Sequence, residues 1–327
     1  MINSITVIVL MFFFSAMIEA QELEGEVVFK SFQHTFPDKV EKVAFINGDW
    51  TITIGDEVFY WAKGRLLPEG LRNDWESYRS QMFSLYPKDI PDPAMYSQSD
   101  IEALRVEGEA DRDDPYMGFQ GALYGGTTRT EIETHQVKLA FLGKNIVIHE
   151  DIVEPLSRVE QHIMTYAETD HEVALFVASI DSIGGYNWRA IQGTQRQSYH
   201  SWGLALDIQP KKSYLGNKVM YWFWERIFDK NWMLVPLERR WIPPLGIIKA
   251  FENEGFIWGG RWALYDNMHF EYRPELLEVN RLLAAQGSDT QPRHAQDAPD
   301  LHHLYPVTLS SKASFWEKIL IYLGLKE

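Results

Sequence analysis

The sequence predicts an α+β protein in which helices flank a small antiparallel sheet, preceded by a smaller and mainly β region. Apolar residues recur at helical spacing from about Glu150 onward, and short strand-like segments bounded by Gly and Pro lie between those helices. Because helices and strands do not alternate strictly, an antiparallel sheet is favoured over a doubly wound parallel one. The chain has 327 residues, of which 45% are hydrophobic and 14% aromatic, so it can bury a sizeable core.

The N-terminal segment predicts export. Ile5–Ile18 is an apolar run, shorter than the ~20 residues of a membrane span and typical of the apolar part of a signal peptide. We expect cleavage after Ala20 and a periplasmic or extracellular mature chain. Two features are atypical of a signal peptide. No Lys or Arg precedes the run, and Ile18 is not the small residue usually found two places before the last residue of the signal, here Ala20. The alternative is therefore that the segment is not cleaved and anchors the chain in the membrane. We expect strong membrane association only in that case.

Residues 21–138 are predicted to form an accessory region whose centre is a three-stranded β-meander. Short alternating segments are separated there by dipeptides that favour tight hairpins, in the order Val43–Ile46, Asn47-Gly48, Trp50–Ile54, Gly55-Asp56 and Val58–Trp61. A helical stretch is expected around Asn73–Leu85. The many aromatic residues of this region form either a platform for sugars or a small core with an interface. The second interpretation is favoured, because aromatic side chains dominate core packing.

Residues 139–285 are predicted to form the main domain, and residues 286–327 a linker with a short amphipathic helix, Ser314–Leu325. Docking of this helix on the protein is favoured, and contact with a membrane or a partner is the alternative. Asp229–Pro244 has little periodicity and is interpreted as an insertion. The expected elements of the main domain are helices over Val153–Ile163, Val173–Gly185, Lys218–Phe228 and Pro244–Gly255, and strands at Leu204–Ile208 and His269–Tyr272.

Charge and cysteine content exclude several classes of protein. The chain carries 46 Asp and Glu against 31 Lys and Arg, a net charge of −15. Nucleic-acid binding requires a basic surface that releases counterions from phosphates, so we expect no nucleic-acid partner. The absence of cysteine excludes disulfides, iron–sulfur clusters, thiolate zinc sites and cysteine nucleophiles. A zinc site in this chain must therefore use imidazole and carboxylate ligands.

Three residues supply the ligands that a catalytic zinc site requires, namely His200, Asp207 and His269. Asp207 ends an apolar strand, where an ionised carboxylate is costly unless it is paired or binds a metal. Gly203 and Ala205 share its strand face and leave space beside it. The residues from His200 to Gly203 are expected to form the turn that brings the imidazole to the same place.

Other polar residues are placed to support the chemistry. Asp266 lies three residues before His269, suited to act as a general base without binding the metal. Arg189 follows a Gly-Gly turn and can polarise a carbonyl or clamp a carboxylate. Glu271 shares a strand face with His269 and is expected to fix its tautomer. Ser198 supports the site, contacts substrate, or is a plain turn hydroxyl.

The pattern Ser198-x-His200-x-x-Gly203-x-Ala205-x-Asp207, followed by Asp266-x-x-His269, resembles the VanY-type zinc peptidases. These are D-alanyl-D-alanine carboxypeptidases and L-alanyl-D-glutamate endopeptidases that cut peptidoglycan stem peptides. The resemblance covers about Leu139–Pro274 and implies the fold that this family shares with the hedgehog signalling domain. It also implies one Zn²⁺ held by His200, Asp207 and His269, with Asp266 as base and Arg189 stabilising the transition state.

The Trp258-Gly-Gly-Arg-Trp262 and Asp266-x-x-His269-Phe-Glu271 segments resemble the endopeptidase branch of the family. Tyr186, Trp258 and Trp262 are further candidates for supporting the site or contacting the stem-peptide substrate. Two functions stay open: an exported zinc peptidase, or a non-catalytic zinc-containing binding or signalling module of the same fold. The peptidase is favoured because all five proposed catalytic positions are filled.

Overall fold

The fold is described from a computed structural model that covers residues 25–78, 85–109, 116–191, 197–221 and 229–285. The signal segment, most of the expected helix Lys218–Phe228 and the C-terminal segment 286–327 lie outside the described residues. Within these ranges, no helix has both the length and the apolar character needed to cross a bilayer.

The protein is α+β, as predicted, with small antiparallel sheets among helices. The helices are α1 Gly25–Thr35, α2 Gln98–Glu109, α3 Gly118–Tyr124, α4 Arg129–Glu133, α5 Val153–Ala167, α6 His171–Ser179, α7 Lys212–Leu215, α8 Leu245–Asn253 and α9 Pro274–Ala285. The strands are β1 Val40–Ile46, β2 Asp49–Ile54, β3 Glu57–Trp61, β4 Leu66–Pro68, β5 Gln136–Phe141, β6 Lys144–His149, β7 Ile180–Gly184, β8 Ala205–Pro210, β9 Phe256–Trp258 and β10 His269–Tyr272. They pair in the orders β1-β2-β3-β4, β5-β6 and β7-β8-β10-β9.

The predicted meander is present and gains a fourth strand, β4. Its first turn is Asn47-Gly48, where both residues have positive φ (54° and 80°), a conformation that this pair tolerates. Many of its aromatic side chains are packed, since Trp61 meets Phe29 edge-on at 5.9 Å and Phe59 meets Phe119 at 5.2 Å. These contacts favour the core interpretation of the aromatic residues over the sugar platform.

The helix expected around Asn73–Leu85 is wrong in its described part. A 3₁₀ helix covers Glu69–Ser77 instead, and Tyr78 is already extended. Asp74 leaves helical backbone angles (φ −103°, ψ 30°), and Ser77 donates a hydrogen bond to its carboxylate at 2.8 Å. Asp and Ser side chains commonly offer such local alternatives to the helical ladder. The insertion Asp229–Pro244 contains two 3₁₀ helices, Asp229–Leu234 and Leu237–Arg239.

The helix expected to run to Gly184-Gly185 ends earlier, at Ser179. Ile180 takes extended angles (φ −57°, ψ 120°), and the following residues form the edge strand β7. β-branched Ile180 and Ile183 suit a strand better than a helix terminus. In β7, Ile183 pairs with Ile208 and Gly184 with Asp207. The strand therefore brings the Gly-Gly turn beside the carboxylate.

The central strands β8 and β10 lie between the hydrophobic core and the polar candidate site. His269 pairs with Asp207 and Glu271 with Ala205, so these four residues project from one face. Phe270, between them, projects from the other face and is fully buried. It stacks at 4.1 Å on Phe251 of α8. One face of this sheet is therefore hydrophobic core, and the other carries polar groups.

The accessory and main regions share one hydrophobic core among the described residues. Phe32 of α1 and Val279 of α9 belong to the same buried cluster, and the two helices pack together. The predicted boundary at 138/139 falls inside β5, which pairs along its whole length with β6. The division into an accessory region and a main domain stays a prediction.

Candidate metal centre

The turn that carries His200 is shaped by a side-chain cap and a glycine. The Ser198 hydroxyl accepts a hydrogen bond from the His200 backbone N–H at 3.3 Å and caps the 3₁₀ helix Tyr199–Trp202. Gly203 ends it in the left-handed region, with φ of 71°. A Cβ on Gly203 would lie 2.6 Å from the backbone nitrogen of His149. Only glycine fits there without displacing backbone.

His200, Asp207 and His269 converge at this turn. Their nitrogen and oxygen atoms lie within 4.8 Å of one another, as a metal site requires. His200 Nε2 is 3.2 Å from Asp207 Oδ2, and His269 Nδ1 is 3.0 Å from Asp207 Oδ1. Both histidines are buried, and their rings are 5.1 Å apart. The three side chains form a cluster that could hold a metal ion.

The hydrogen bonds around each imidazole leave the inward nitrogen for a metal. His200 Nδ1 is 2.7 Å from the carbonyl oxygen of Gly185, which can only accept, so Nδ1 carries the proton. The buried Nε2 of His200 faces Asp207 Oδ2 at 3.2 Å, and in the described part of the chain it meets no partner with full hydrogen-bond geometry. His269 Nε2 lies 3.1 Å from the Glu271 carboxylate, so Nδ1 faces Asp207. This arrangement fits a divalent ion bound by two imidazoles and one carboxylate.

Electrostatics in the cluster agree with a cation site. Burial acts to raise the pKa of Asp207, but the hydrogen bonds and charges of His200 and His269 hold it below its ordinary value. Burial acts to lower the pKa of His269, yet its bonds to Asp207 and Glu271 raise it well above its ordinary value. A metal would take the place of the proton that these carboxylates share with His269.

Asp266 lies beside the cluster without joining it. Its carboxylate accepts from the Met268 backbone N–H at 3.3 Å, and its own N–H donates to Gly259 at 3.0 Å. Burial raises the pKa of Asp266 to about 7, and the nearby charges of His269 and Arg189 oppose that rise. A carboxyl group with a pKa near neutrality can both accept and return a proton at neutral pH.

Arg189 is exposed, but its backbone is fixed to the His200 turn. Its N–H donates to the Ser201 hydroxyl at 2.9 Å, and its carbonyl accepts from the Ser198 N–H at 3.1 Å. Its positive charge is among the influences that lower the pKa of Asp266. Tyr186 follows Gly185, and its hydroxyl donates a hydrogen bond to Glu133 at 3.1 Å, so its proposed support of the site stays a prediction.

The two tryptophans have different surroundings. Trp258 is fully buried, and its indole N–H donates to the Asn267 carbonyl at 3.0 Å, so it braces the chain between Asp266 and His269. The Trp262 ring lies 5.5 Å from the His269 ring and flanks this ligand candidate directly.

Sequence reasoning missed three supporting residues. Ser201 ties the Arg189 backbone to the turn, and buried Asn267 holds the segment after Asp266 by donating to Trp241 O at 2.7 Å. Arg273 contacts Glu271, with Nη1 at 3.3 Å from its carboxylate. The two-residue period that relates His269 to Glu271 extends to position 273 and could have identified Arg273.

Comparisons with known proteins support one family. Residues 192–272 match a family model described as D-alanyl-D-alanine carboxypeptidase, and residues 28–83 match one described as a domain of unknown function. No curated protein and no solved structure matches the chain. The first match contains Asp266 and all three residues of the cluster. Together with the His–Asp–His cluster, the match supports a metal-dependent peptidase of the D-alanyl-D-alanine carboxypeptidase family.

Proposed function

We propose that the protein is an exported zinc metallopeptidase that hydrolyses an amide bond in peptidoglycan stem peptides. The bond is of the D-Ala-D-Ala carboxypeptidase or L-Ala-D-Glu endopeptidase type. One observation carries this proposal: the donor atoms of His200, Asp207 and His269 converge within 4.8 Å, inside the segment that matches the peptidase family. Two nitrogen donors and one carboxylate are a donor set typical of catalytic zinc.

The residues around the cluster divide the chemistry among them. When bound, zinc supplies Lewis acidity at the scissile carbonyl and makes water more acidic. His200 and His269 would hold it through Nε2 and Nδ1, and Asp207 would contribute one carboxylate. Asp266 accepts a proton from the attacking water and passes it to the leaving amine, for which a pKa of about 7 is well matched.

Arg189 provides a local positive charge in a protein of net charge −15, where long-range attraction of an anionic peptide is not available. We assign it to the oxyanion that forms as water attacks the amide. The other role is a bidentate clamp on a substrate carboxylate. The oxyanion role is supported by the resemblance to the zinc peptidases, in which an upstream Arg stabilises the transition state.

Export is proposed from the apolar run Ile5–Ile18, with a mature chain that begins near Gln21. Sequencing the N-terminus of the protein from fractionated cells tests this. A chain that starts near Gln21 outside the cytoplasmic membrane supports the proposal, whereas an intact Met1 in the membrane fraction supports the anchor.

The function is tested by digesting purified sacculi and identifying the released fragments by mass spectrometry. The wild-type protein loaded with zinc is expected to release stem-peptide fragments whose masses identify the bond cut. His269→Ala should lose both zinc and activity. Asp266→Asn should keep zinc but lose ~10²-fold or more in turnover, the usual scale for a general base. His171→Ala, which changes an exposed histidine of α6, is the matched control and should retain both.

The outcomes separate the two candidate functions. Wild-type protein that binds zinc but leaves sacculi and stem peptides intact would indicate the non-catalytic module. Near-normal turnover in Asp266→Asn would remove Asp266 as the base, and loss of zinc from that variant would make it a ligand.

A further inference from the structure

A line of charged side chains extends from the candidate metal ligand His269 into the protein. His269 Nε2 is 3.1 Å from one oxygen of Glu271, and the other oxygen is 3.3 Å from Nη1 of Arg273. Nε of Arg273 donates to Glu275, the next carboxylate along the chain. Glu271 and Glu275 are 8% and 2% exposed, so these charges interact with little screening by water.

Arg273 is fixed by two further contacts. Its backbone N–H donates to the Gly255 carbonyl at 2.9 Å, before β9. Its guanidinium lies 4.8 Å from the centre of the Tyr199 ring, a cation–π contact. Tyr199 directly precedes His200. Arg273 therefore contacts Glu271, the partner of His269, and also Tyr199, the residue before His200.

The guanidinium is the cation between two buried carboxylates. Without it, Glu271 and Glu275 would repel each other, and the buried Glu275 would lose the charged partner that offsets the cost of its burial. The planar fork of Arg meets two carboxylates at once, through Nη1 to Glu271 and Nε to Glu275, whereas the single ammonium group of Lys cannot reproduce that geometry.

We infer that Arg273 is a positioning residue for the metal site, which acts on His269 through Glu271. It holds the Glu271 carboxylate where that group accepts the Nε2 proton of His269, which leaves Nδ1 directed at the metal. The inference deepens the proposed function and rests on it only in that His269 binds the metal. Partners of metal-binding histidines of this kind typically change metal affinity by ~10–100-fold when they are removed.

The experiment measures zinc affinity by competition with a chromogenic chelator, without substrate, on the full-length mature chain. Arg273→Gln is expected to weaken zinc binding by ~10–100-fold and to leave the far-ultraviolet circular dichroism unchanged. Arg281→Gln is the matched control, because Arg281 of α9 also binds a glutamate, Glu278, but its own side chain is 62% exposed. Its zinc affinity should equal that of the wild type.

A double-mutant cycle separates positioning from a general structural role. If Arg273 acts through Glu271, then Arg273→Gln combined with Glu271→Gln should weaken zinc binding no more than the more severe single change. Equal zinc affinity in Arg273→Gln and wild type, or fully additive losses in the double variant, would overturn the inference.

Two further outcomes are distinguished by design. Should Arg273→Gln fail to fold, Arg273→Lys is measured in its place with the same criteria, because it keeps the charge and loses the fork. A wild-type protein that binds no zinc would overturn the proposed function and the inference together. Zinc binding by the wild type that is unaffected in the Arg273 variants would overturn the inference alone.

Discussion

Gly203 offers a test of how tightly the His200 turn is specified. Replacing it with Ala adds one methyl group to a residue with φ of +71°, and that Cβ would lie 2.2 Å from Gln136 Oε1 and 2.6 Å from His149 N. The left-handed conformation costs a non-glycine residue ~1–2 kcal/mol. Overlap with packed neighbours typically costs ~1–3 kcal/mol. We therefore expect Gly203→Ala to lower the free energy of unfolding by about 2–5 kcal/mol.

Two other glycines separate these contributions. Gly143, in the turn between β5 and β6, has φ of +74° and nothing within 4 Å of an added Cβ. Gly143→Ala should therefore lose only the conformational part, about 1–2 kcal/mol. Gly185 has no positive φ, but its Cβ would lie 2.3 Å from the Val147 carbonyl oxygen. Gly185→Ala should therefore report the steric part, about 1–3 kcal/mol.

Urea unfolding of the three variants, each at one pH and with metal removed, measures these differences directly. The reasoning requires Gly203→Ala to be more destabilising than Gly143→Ala. Equal losses in these two variants would refute it, because they would show that the His149 backbone moves aside without cost. Zinc titration of Gly203→Ala should also show weaker binding, since the turn places His200.

Three further outcomes are expected. Arg189→Lys should lower kcat with KM little changed on a stem-peptide substrate, whereas a raised KM at unchanged kcat would make Arg189 a substrate clamp. Burial lowers the pKa of His149 below 6.5, so the unfolded chain takes up a proton first as the pH falls. The contribution of His149 to the free energy of unfolding should therefore be fully present above pH 6.5 and be lost as the pH falls below it. Urea midpoints measured across that range should decline less steeply in His149→Gln than in the wild type. Phe270→Ala removes a fully buried ring that stacks on Phe251 at 4.1 Å and should cost ~3–5 kcal/mol in urea unfolding, with a loss below about 1 kcal/mol contradicting the assigned packing.

Part of the site could be predicted because it depends on short-range rules. Strand periodicity places His269 with Glu271 and Ala205 with Asp207, and a glycine turn suffices to return His200 to Asp207. The register between β8 and β10 brings these pairs opposite each other, and no local pattern encodes that register. It depends on burying Phe270 against Phe251, which is a contact between distant parts of the chain.

Other features were missed because a tertiary contact outweighs a local preference. The edge strand β7 follows α6 without a break in apolar spacing, and only its pairing with β8 distinguishes it from more helix. Arg240 of the insertion is 2% exposed, yet sequence alone gives Arg as a surface residue. Its guanidinium donates to the carbonyls of Met233 and Val235 and lies 3.9 Å from the Tyr265 ring centre.

The pairing of His269 with Asp207 joins residues 62 positions apart in the chain. Between these two strands lie the core helix α8, the strand β9 and the insertion Asp229–Pro244. The entropic cost of closing such a loop grows slowly, by ~0.6 kcal/mol for each doubling of its length. By this relation alone, the insertion can lengthen or shorten over evolutionary time at small energetic cost, while α8 and β9 keep the core contacts that position β10. Length variation in this part of the chain therefore leaves the three side chains of the cluster in place.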